Sequence, residues 1–151
     1  MVKHDTRMID VSGKKDTQRL ATATACISMQ NDTLTLVKGN KIPKGDVLAV
    51  AQVAGIMAAK KASDLIPLCH PLNLTNVSID FSFPAKNSAI VITATVRGRG
   101  KTGFEMEALT AAAVAALTIY DMCKMFDQGM TITDMRLVKK TGGKSGTYIA
   151  R

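Results

Sequence analysis

Residues 102–129, TGFEMEALTAAAVAALTIYDMCKMFDQG, decide the fold of this chain. From Phe104 to Gln128 the stretch holds no glycine or proline, and it is rich in alanine, the residue with the highest helix propensity. Gly129 then provides a typical helix stop. The sequence therefore predicts one long helix over residues 104–128.

Four β-rich segments surround this helix. Residues 21–29, ATATACISM, alternate small or polar with apolar side chains, which is typical of a strand. Residues 74–83 and 89–97 are predicted to form a hairpin around the turn-forming sequence PAKNS. Residues 130–138 are predicted to form a last strand.

Two shorter helices are expected between the first and second strands. Asn31 or Asp32 can cap a helix that Gly39 stops, and Gly45 and Asp46 open a second helix with apolar residues at helical spacing. The resulting order is β, α, α, β, β, α, β. It predicts the α+β class and a ferredoxin-like split βαβ with an additional helix, in which helices cover one mostly antiparallel sheet.

The length of the chain fits one domain, because 151 residues of which 46% are hydrophobic can form one sizeable core. Aromatic residues make up only 4%, so aliphatic side chains and nine methionines must fill that core. We expect a flexible N-terminal arm over residues 1–20 and a single ferredoxin-like domain over residues 21–151. Within this domain, residues 139–151 are predicted to form a flexible C-terminal loop.

The formal net charge of +8 attracts anions, whether nucleic acid, a membrane surface or a small phosphorylated ligand. A well-solvated, lysine-rich surface explains the same charge. The three cysteines include no CxxC pair and the N-terminus has no apolar signal core, so a cytoplasmic location is expected. The longest apolar run, residues 108–117, is too short for a membrane span, so no transmembrane segment is predicted.

Lys44 stands just before a predicted helix start, in the sequence KGDV. The free N–H groups and the dipole of a helix start attract anions, so Lys44 and the helix end could hold a phosphate together. A helix-start turn with Asp46 as a first-turn acid explains the same residues. Lys60, near the other end of this helix, has a sufficient structural explanation in the C-terminal dipole.

The segment SDLIPLCHPLNL places Cys69 beside His70 between two prolines. The prolines stiffen the backbone and exclude a regular helix, so the segment can present a side chain. In an extended segment neighbouring side chains point to opposite faces, which disfavours a nucleophile–base pair. No HxxxH or CxxC partner supports a metal site. His70 as a buried structural residue and His70 as a substrate contact both stay open.

The long helix carries acids at both ends. Glu105 and Glu107 share a face only if their segment is extended, and acids in a first helical turn are ordinary complements of the dipole. Asp121 and Lys124 lie three residues apart on one helix face and can interact. A proton-transfer pair and a structural salt bridge are both compatible with this spacing.

Taken together, four segments resemble the MoaC family, the cyclic pyranopterin monophosphate synthases of molybdenum cofactor biosynthesis. The segments are MIDVSGKKDTQR, KGDVLAVAQVAGIMAAKKASDLIPLCHPL, GKTGFEMEALTAAAVAALTIYDMCK and KKTGGKSG. The resemblance spans about residues 8–146, and no charged position of the motifs is altered. Phe104 departs from the pattern, since a smaller aliphatic residue is usual there, and so do the plain alanines after EALT.

The resemblance implies a lyase that converts 3′,8-cyclo-7,8-dihydroguanosine triphosphate to cyclic pyranopterin monophosphate with release of pyrophosphate. It also implies a ferredoxin-like fold and a homo-oligomer, a hexamer built as a trimer of dimers. We expect a nucleotide-derived small molecule as the partner, with no nucleic acid and no membrane. No cofactor is expected to be required, although magnesium can accompany the triphosphate.

The resemblance further implies two sets of site residues. In the catalytic set, Asp121 and Lys124 would form an acid/base unit, while Lys44 and Lys60 would bind the triphosphate or activate the attacking hydroxyl. The substrate-contacting set would comprise Leu68, Cys69, His70, Glu105, Met106 and Glu107, with Arg19 and Lys144 as further phosphate contacts.

Two other function classes compete with this one. An RNA-binding module would explain the basic charge, but residues 89–97 lack the stacking aromatics of an RNA-binding sheet. A non-catalytic scaffold would use the basic patches for assembly and predicts no open pocket. The sequence leaves open whether pocket residues come from one subunit or from two.

Overall fold

The computed structural model describes Val2 and residues 4–151. Within this part of the chain, five strands and four helices follow one another. They are β1 (Thr17–Ser28), α1 (Asn31–Lys38), α2 (Val47–Lys60), α3 (Ala62–Leu65), β2 (Asn73–Ser82), β3 (Ala89–Gly100), α4 (Glu105–Cys123), β4 (Thr131–Thr141) and β5 (Tyr148–Ile149).

The strands form one sheet in the order β2-β3-β1-β4-β5, and every neighbouring pair is antiparallel. Because β1 and β2 are both antiparallel to β3, they run in the same direction with β3 between them. By the same argument, β3 and β4 are parallel to each other across β1. The predicted α+β class and mostly antiparallel sheet are confirmed, while the ferredoxin-like designation stays a prediction.

The helices cover one face of the sheet. Ala21, Ala23 and Ala25 of β1 alternate with polar residues and are buried toward the helices, opposite buried residues of β3. On the other face, the hydroxyls of Thr22 and Thr95 lie 3.0 Å apart. Alternation along each strand therefore decides which side chains can reach a site on the helix side.

Helix α4 is the central core element. Nine of its residues are buried, most of them alanines, and it contacts α2 as well as β1, β3 and β4. Gly55 lets α2 approach closely, since a Cβ there would lie 3.1 Å from the carbonyl oxygen of Ala111. Within the described residues, α4 is the one helix long and apolar enough to cross a membrane, but half of its apolar window is buried.

The predicted end of the long helix was wrong, because α4 stops at Cys123 and not at Gln128. The buried Asp127 explains the difference. Its carboxylate accepts hydrogen bonds from the backbone N–H groups of Gln30, at 2.8 Å, and Gly129, at 3.1 Å. These bonds join the chain after α4 to the start of α1, so the segment turns instead of continuing the helix.

The sheet is also longer than predicted. Strand β1 begins at Thr17, inside the predicted arm, because residues 17–20 pair with the end of β3. Strand β4 continues to Thr141 and β5 follows at Tyr148–Ile149, both inside the predicted C-terminal loop. The one-turn helix α3 was not predicted. The flexibility of residues 1–20 and 139–151 stays a prediction, and Met1 and Lys3 of the arm lie outside the described residues.

Candidate functional site

Three of the predicted catalytic residues meet at the C-terminal end of α4. Lys44 Nζ lies 3.1 Å from Asp121 Oδ2, and Lys124 Nζ lies 3.0 Å from Asp121 Oδ1. Lys44 also donates to the backbone carbonyl of Asp121 at 3.1 Å. We call Lys44, Asp121 and Lys124 the lysine–aspartate cluster.

Local structure brings this cluster together. Asp46 caps α2 by accepting from the backbone N–H of Ala49, and Gly45 adopts a φ of 118°, which allows the turn that follows Lys44. Lys124 follows Asp121 by three residues, so both face the same side of the helix end. The cluster is solvent-accessible, since the Asp121 side chain is 59% exposed.

The two lysines hold Asp121 in its charged form. The hydrogen bond from Lys124, followed by that from Lys44, keeps the pKa of Asp121 below its ordinary value. Asp121 is therefore a carboxylate at neutral pH, able to accept a proton or to orient a cation. The two ammonium groups beside it are the proton donors of the cluster.

A second group of predicted residues lies near the N-terminal end of α4, around a cavity of about 810 Å³. We call it the anion pocket. Its lining contains five cationic side chains and one carboxylate. These are Lys14, Lys15, Arg19, Lys140, Lys144 and Glu105.

Glu105 is paired inside the anion pocket. Lys140 Nζ donates to Glu105 Oε1 at 2.6 Å. Burial raises the pKa of Glu105, but the hydrogen bond and the charge of Lys140 outweigh it, so the net pKa lies below the ordinary value. The remaining four cations keep the pocket strongly attractive to a polyphosphate.

Arg19 is held in place by backbone carbonyls. Its Nε donates to the oxygen of Gly100 at 3.0 Å and its Nη2 donates to that of Lys101 at 3.3 Å. Gly143 allows this position, because its φ is 81° and a Cβ there would overlap the guanidinium. The glycine-rich loop that carries Lys144 is thus packed against Arg19.

The buried Glu107 of α4 and the partly buried Cys69 form a further pair. Cys69 Sγ lies 3.8 Å from Glu107 Oε1, while Glu107 Oε2 has no hydrogen-bond partner among the described residues. Glu107 is only 3% exposed, and this burial raises the pKa of its carboxyl group. Burial and then the charge of Glu107 raise the pKa of the Cys69 thiol. Cys69 is therefore a protonated thiol and a poor nucleophile.

His70 turns away from Cys69 and contacts the N-terminal segment. Its Nε2 lies 2.7 Å from the carbonyl oxygen of Ile9. Because a carbonyl only accepts, Nε2 carries the hydrogen in this arrangement. This geometry agrees with the expectation that Cys69 and His70 do not form a nucleophile–base pair.

The other three predicted residues make no side-chain hydrogen bond or ion pair among the described residues. Lys60 is exposed in the last turn of α2, Leu68 is 50% exposed, and Met106 is partly buried in the first turn of α4. Their roles stay predictions.

Sequence reasoning missed Lys140, Lys14 and Lys15. Lys140 pairs in register with Ala21, which faces the helices, whereas Lys139 pairs with Thr22 on the open face. If β4 had been predicted to continue past residue 138, the alternation of side chains along the strand would have placed Lys139 and Lys140 on opposite faces of the sheet. Lys14 and Lys15 belong to the segment MIDVSGKKDTQR, but their spacing assigned them no role, because only the fold brings that segment to the pocket.

The two groups are far apart within one chain. Glu105 and Asp121 stand at opposite ends of α4, about 24 Å apart at 1.5 Å per residue. This distance is much longer than the ring system of a purine.

Metal ligation has little support in the part of the chain that the structure describes, since it contains no group of three His, Cys, Asp or Glu side chains that could hold an ion. The absence of a required metal stays a prediction.

Comparison with known proteins identifies the family of the chain. The model of the MoaC family matches residues 8–143. The cyclic pyranopterin monophosphate synthase of Heliobacterium modesticaldum is 58% identical over 147 residues, which are 97% of this chain and 92% of that protein. The proteins of the same name from Listeria monocytogenes and Rhodospirillum rubrum are 58% and 57% identical, over 95% of this chain and 89% and 86% of their own lengths. Both the matched family model and these relatives show that the chain belongs to the MoaC family.

Proposed function

We propose that this protein is a cyclic pyranopterin monophosphate synthase of molybdenum cofactor biosynthesis, working in the cytoplasm. It converts 3′,8-cyclo-7,8-dihydroguanosine triphosphate to cyclic pyranopterin monophosphate and releases pyrophosphate. The observation that carries the proposal is the near full-length similarity to synthases of that name, in a chain that forms both an anion pocket and a lysine–aspartate cluster.

The charge distribution supports a revised division of roles. A triphosphate needs several cations at once, and the anion pocket has four besides the Lys140 that Glu105 engages, whereas Lys44 is engaged by Asp121. We therefore assign the triphosphate to the anion pocket. Lys44 then belongs with Asp121 and Lys124 in proton transfer.

The lysine–aspartate cluster fits the ring chemistry. Opening the five-membered ring and closing the pterin ring both require protons to be removed and delivered. Asp121 is ionised, so its carboxylate is available as the proton acceptor, and Lys44 and Lys124, each in contact with it, are the candidate proton donors.

One active site of this kind needs two subunits. A substrate cannot touch both ends of α4, which lie about 24 Å apart, so the anion pocket of one subunit must meet the lysine–aspartate cluster of another. This arrangement requires at least a dimer, and a trimer of dimers satisfies it.

Exposed apolar side chains on the helix layer support such assembly. Val50, Val53 and Met57 recur along one side of α2 and are 44–57% exposed, and Leu117 of α4 is 57% exposed. Apolar side chains that stay exposed in one subunit are typical of an interface between copies.

The proposed activity is tested by supplying the purified protein with the cyclised dihydroguanosine triphosphate. We expect stoichiometric formation of the pterin monophosphate and pyrophosphate. Absence of both products with folded, oligomeric protein would refute the proposal.

The shared site is tested by co-expressing Asp121→Asn and Lys140→Ala subunits, each strongly impaired alone. If each site combines two subunits, about one quarter of the sites in a random mixture are intact, and activity returns to that level. If each subunit held a whole site, the mixture would stay as inactive as its components.

A further inference from the structure

The N-terminal segment before β1 lies against the anion pocket without being part of the sheet. Residues 9–15, which we call the strap, have no helix or strand of their own. Two side chains from elsewhere in the fold contact its backbone. His70 Nε2 lies 2.7 Å from the carbonyl oxygen of Ile9, and Lys101 Nζ donates to that of Ser12 at 3.3 Å.

The strap turns sharply between these contacts and the sheet. The backbone N–H of Ser12 donates to Asp10 Oδ1 at 2.9 Å, and that of Lys14 donates to the carbonyl of Val11 at 3.0 Å. This turn brings Gly13, Lys14 and Lys15 to the wall of the anion pocket. Two of the five cations of the pocket thus depend on where the strap lies.

Lys101 is placed to control that position without lining the pocket itself. Its ammonium contacts the strap at Ser12, and its backbone carbonyl accepts from Arg19 Nη2. Three cations of the pocket, Lys14, Lys15 and Arg19, are therefore connected to this one residue.

We infer that Lys101 is a positioning residue, which holds the strap against the anion pocket so that Lys14 and Lys15 meet the pyrophosphate part of the substrate. The inference rests on the proposed function for its meaning in turnover. The position of the strap and the affinity of the anion pocket for inorganic pyrophosphate can both be measured on the native oligomer without turnover.

The decisive variants are Lys101→Ala, which removes the donor, and Lys101→Arg, which keeps it. Lys86→Ala is the matched control, because Lys86 is an exposed lysine in the turn between β2 and β3, far from the pocket along the sheet. Hydrogen–deuterium exchange of the peptide that covers residues 9–15 reports on the strap. Titration with inorganic pyrophosphate reports on the pocket.

In Lys101→Ala we expect faster exchange in the strap and weaker pyrophosphate binding, by about threefold to tenfold, as for the loss of a few exposed charge contacts. KM should rise by a similar factor with kcat nearly unchanged, because Lys101 does not touch the reacting rings. Lys101→Arg should recover most of the loss, and Lys86→Ala should behave as the native protein does.

Two results would overturn the inference. Unchanged exchange in Lys101→Ala would show that the side chain does not hold the strap. Faster exchange with native pyrophosphate affinity would show that the strap is held but does not serve the pocket. A native protein that binds pyrophosphate and shows the expected exchange, yet forms no pterin, would refute the proposed function and leave the role of Lys101 supported.

Discussion

Lys140 Nζ lies 2.6 Å from Glu105 Oε1, and this ion pair joins the end of β4 to the first turn of α4. The two side chains are 30% and 26% exposed, so solvent screens the pair less than it screens the surface pairs of this protein. The pair also lies in the wall of the anion pocket. Glu105 therefore holds the ammonium of Lys140 at a position where a bound phosphate could share this ammonium with Glu105 or displace the carboxylate from it.

The first prediction concerns that cation. Lys140→Ala should weaken inorganic pyrophosphate binding about tenfold or more, because a charge-assisted hydrogen bond is lost and the carboxylate of Glu105 is left to repel the anion. Titration calorimetry measures the effect. Lys139→Ala is the matched control, since its side chain lies on the opposite face of the same strand. Equal affinities in the two variants would contradict the assignment of the pocket.

The second prediction concerns the lysine–aspartate cluster. Asp121→Asn should lower kcat by about 10²–10⁴, the range for loss of a general acid or base, with native circular dichroism and oligomeric state. Stability should change little, because Asp121 is exposed. Asp80→Asn provides the control, because Asp80 is an exposed residue of β2. Near-native turnover of Asp121→Asn would remove Asp121 from the mechanism.

The third prediction follows from the raised pKa of Glu107. Below pH 4.5, the ordinary value of the carboxyl, both folded and unfolded chains keep it protonated. As pH rises further, the unfolded chain ionises first, so the native protein should lose stability relative to Glu107→Gln until the pH passes the folded pKa. The difference in the free energy of unfolding between the two proteins grows by about 1.4 kcal/mol for each pH unit that separates the unfolded-state pKa of Glu107 from its folded-state pKa.

Urea unfolding of the native protein and of Glu107→Gln between pH 3 and 8 measures this difference. Glu105→Gln is a control of opposite sign, because the lowered pKa of Glu105 gives stability that is present above pH 4.5 and lost as pH falls through the folded pKa. A constant difference between native protein and Glu107→Gln would contradict a raised pKa for Glu107.

The fold could be predicted from the sequence wherever local pattern and burial agree. Alternation along residues 21–27 and the alanine-rich run of α4 identified the two central layers, since one face of each is buried. The ends of elements were missed where distant contacts decide them. Asp127 turns the chain after α4 by bonding Gln30, and residues 17–20 become a strand only because the end of β3 extends beside them.

Less of the candidate site than of the fold could be predicted from the sequence. The spacing of Asp121 and Lys124 is local, so their contact could be inferred from a helix alone. Lys44 meets Asp121 because α2 and α4 pack together, which no spacing reveals. The anion pocket combines residues from the strap, β1, α4, β4 and the glycine-rich loop, so its cations could be collected only in three dimensions.

The fourth prediction concerns Phe104, the residue just before α4. Phe104 is fully buried and its ring lies against Gly98, where an added Cβ would stand 2.5 Å from Cζ and would also overlap the carbonyl of Asn73. Gly98→Ala should therefore destabilise the protein by about 1–3 kcal/mol, as overpacking does. Gly13→Ala, with nothing within 4 Å, should cost at most about 0.5 kcal/mol.

The double variant separates the two overlaps. In a Phe104→Leu background the ring no longer blocks the added methyl, so Gly98→Ala should cost less than in the native background, although the Asn73 carbonyl keeps the cost above zero. Urea unfolding of the four proteins gives the coupling free energy. Equal costs in both backgrounds would show that the Asn73 carbonyl alone requires glycine at position 98. A positive coupling would show that Gly98 makes room for the ring of Phe104. Phe104 directly precedes Glu105, which holds Lys140 in the anion pocket.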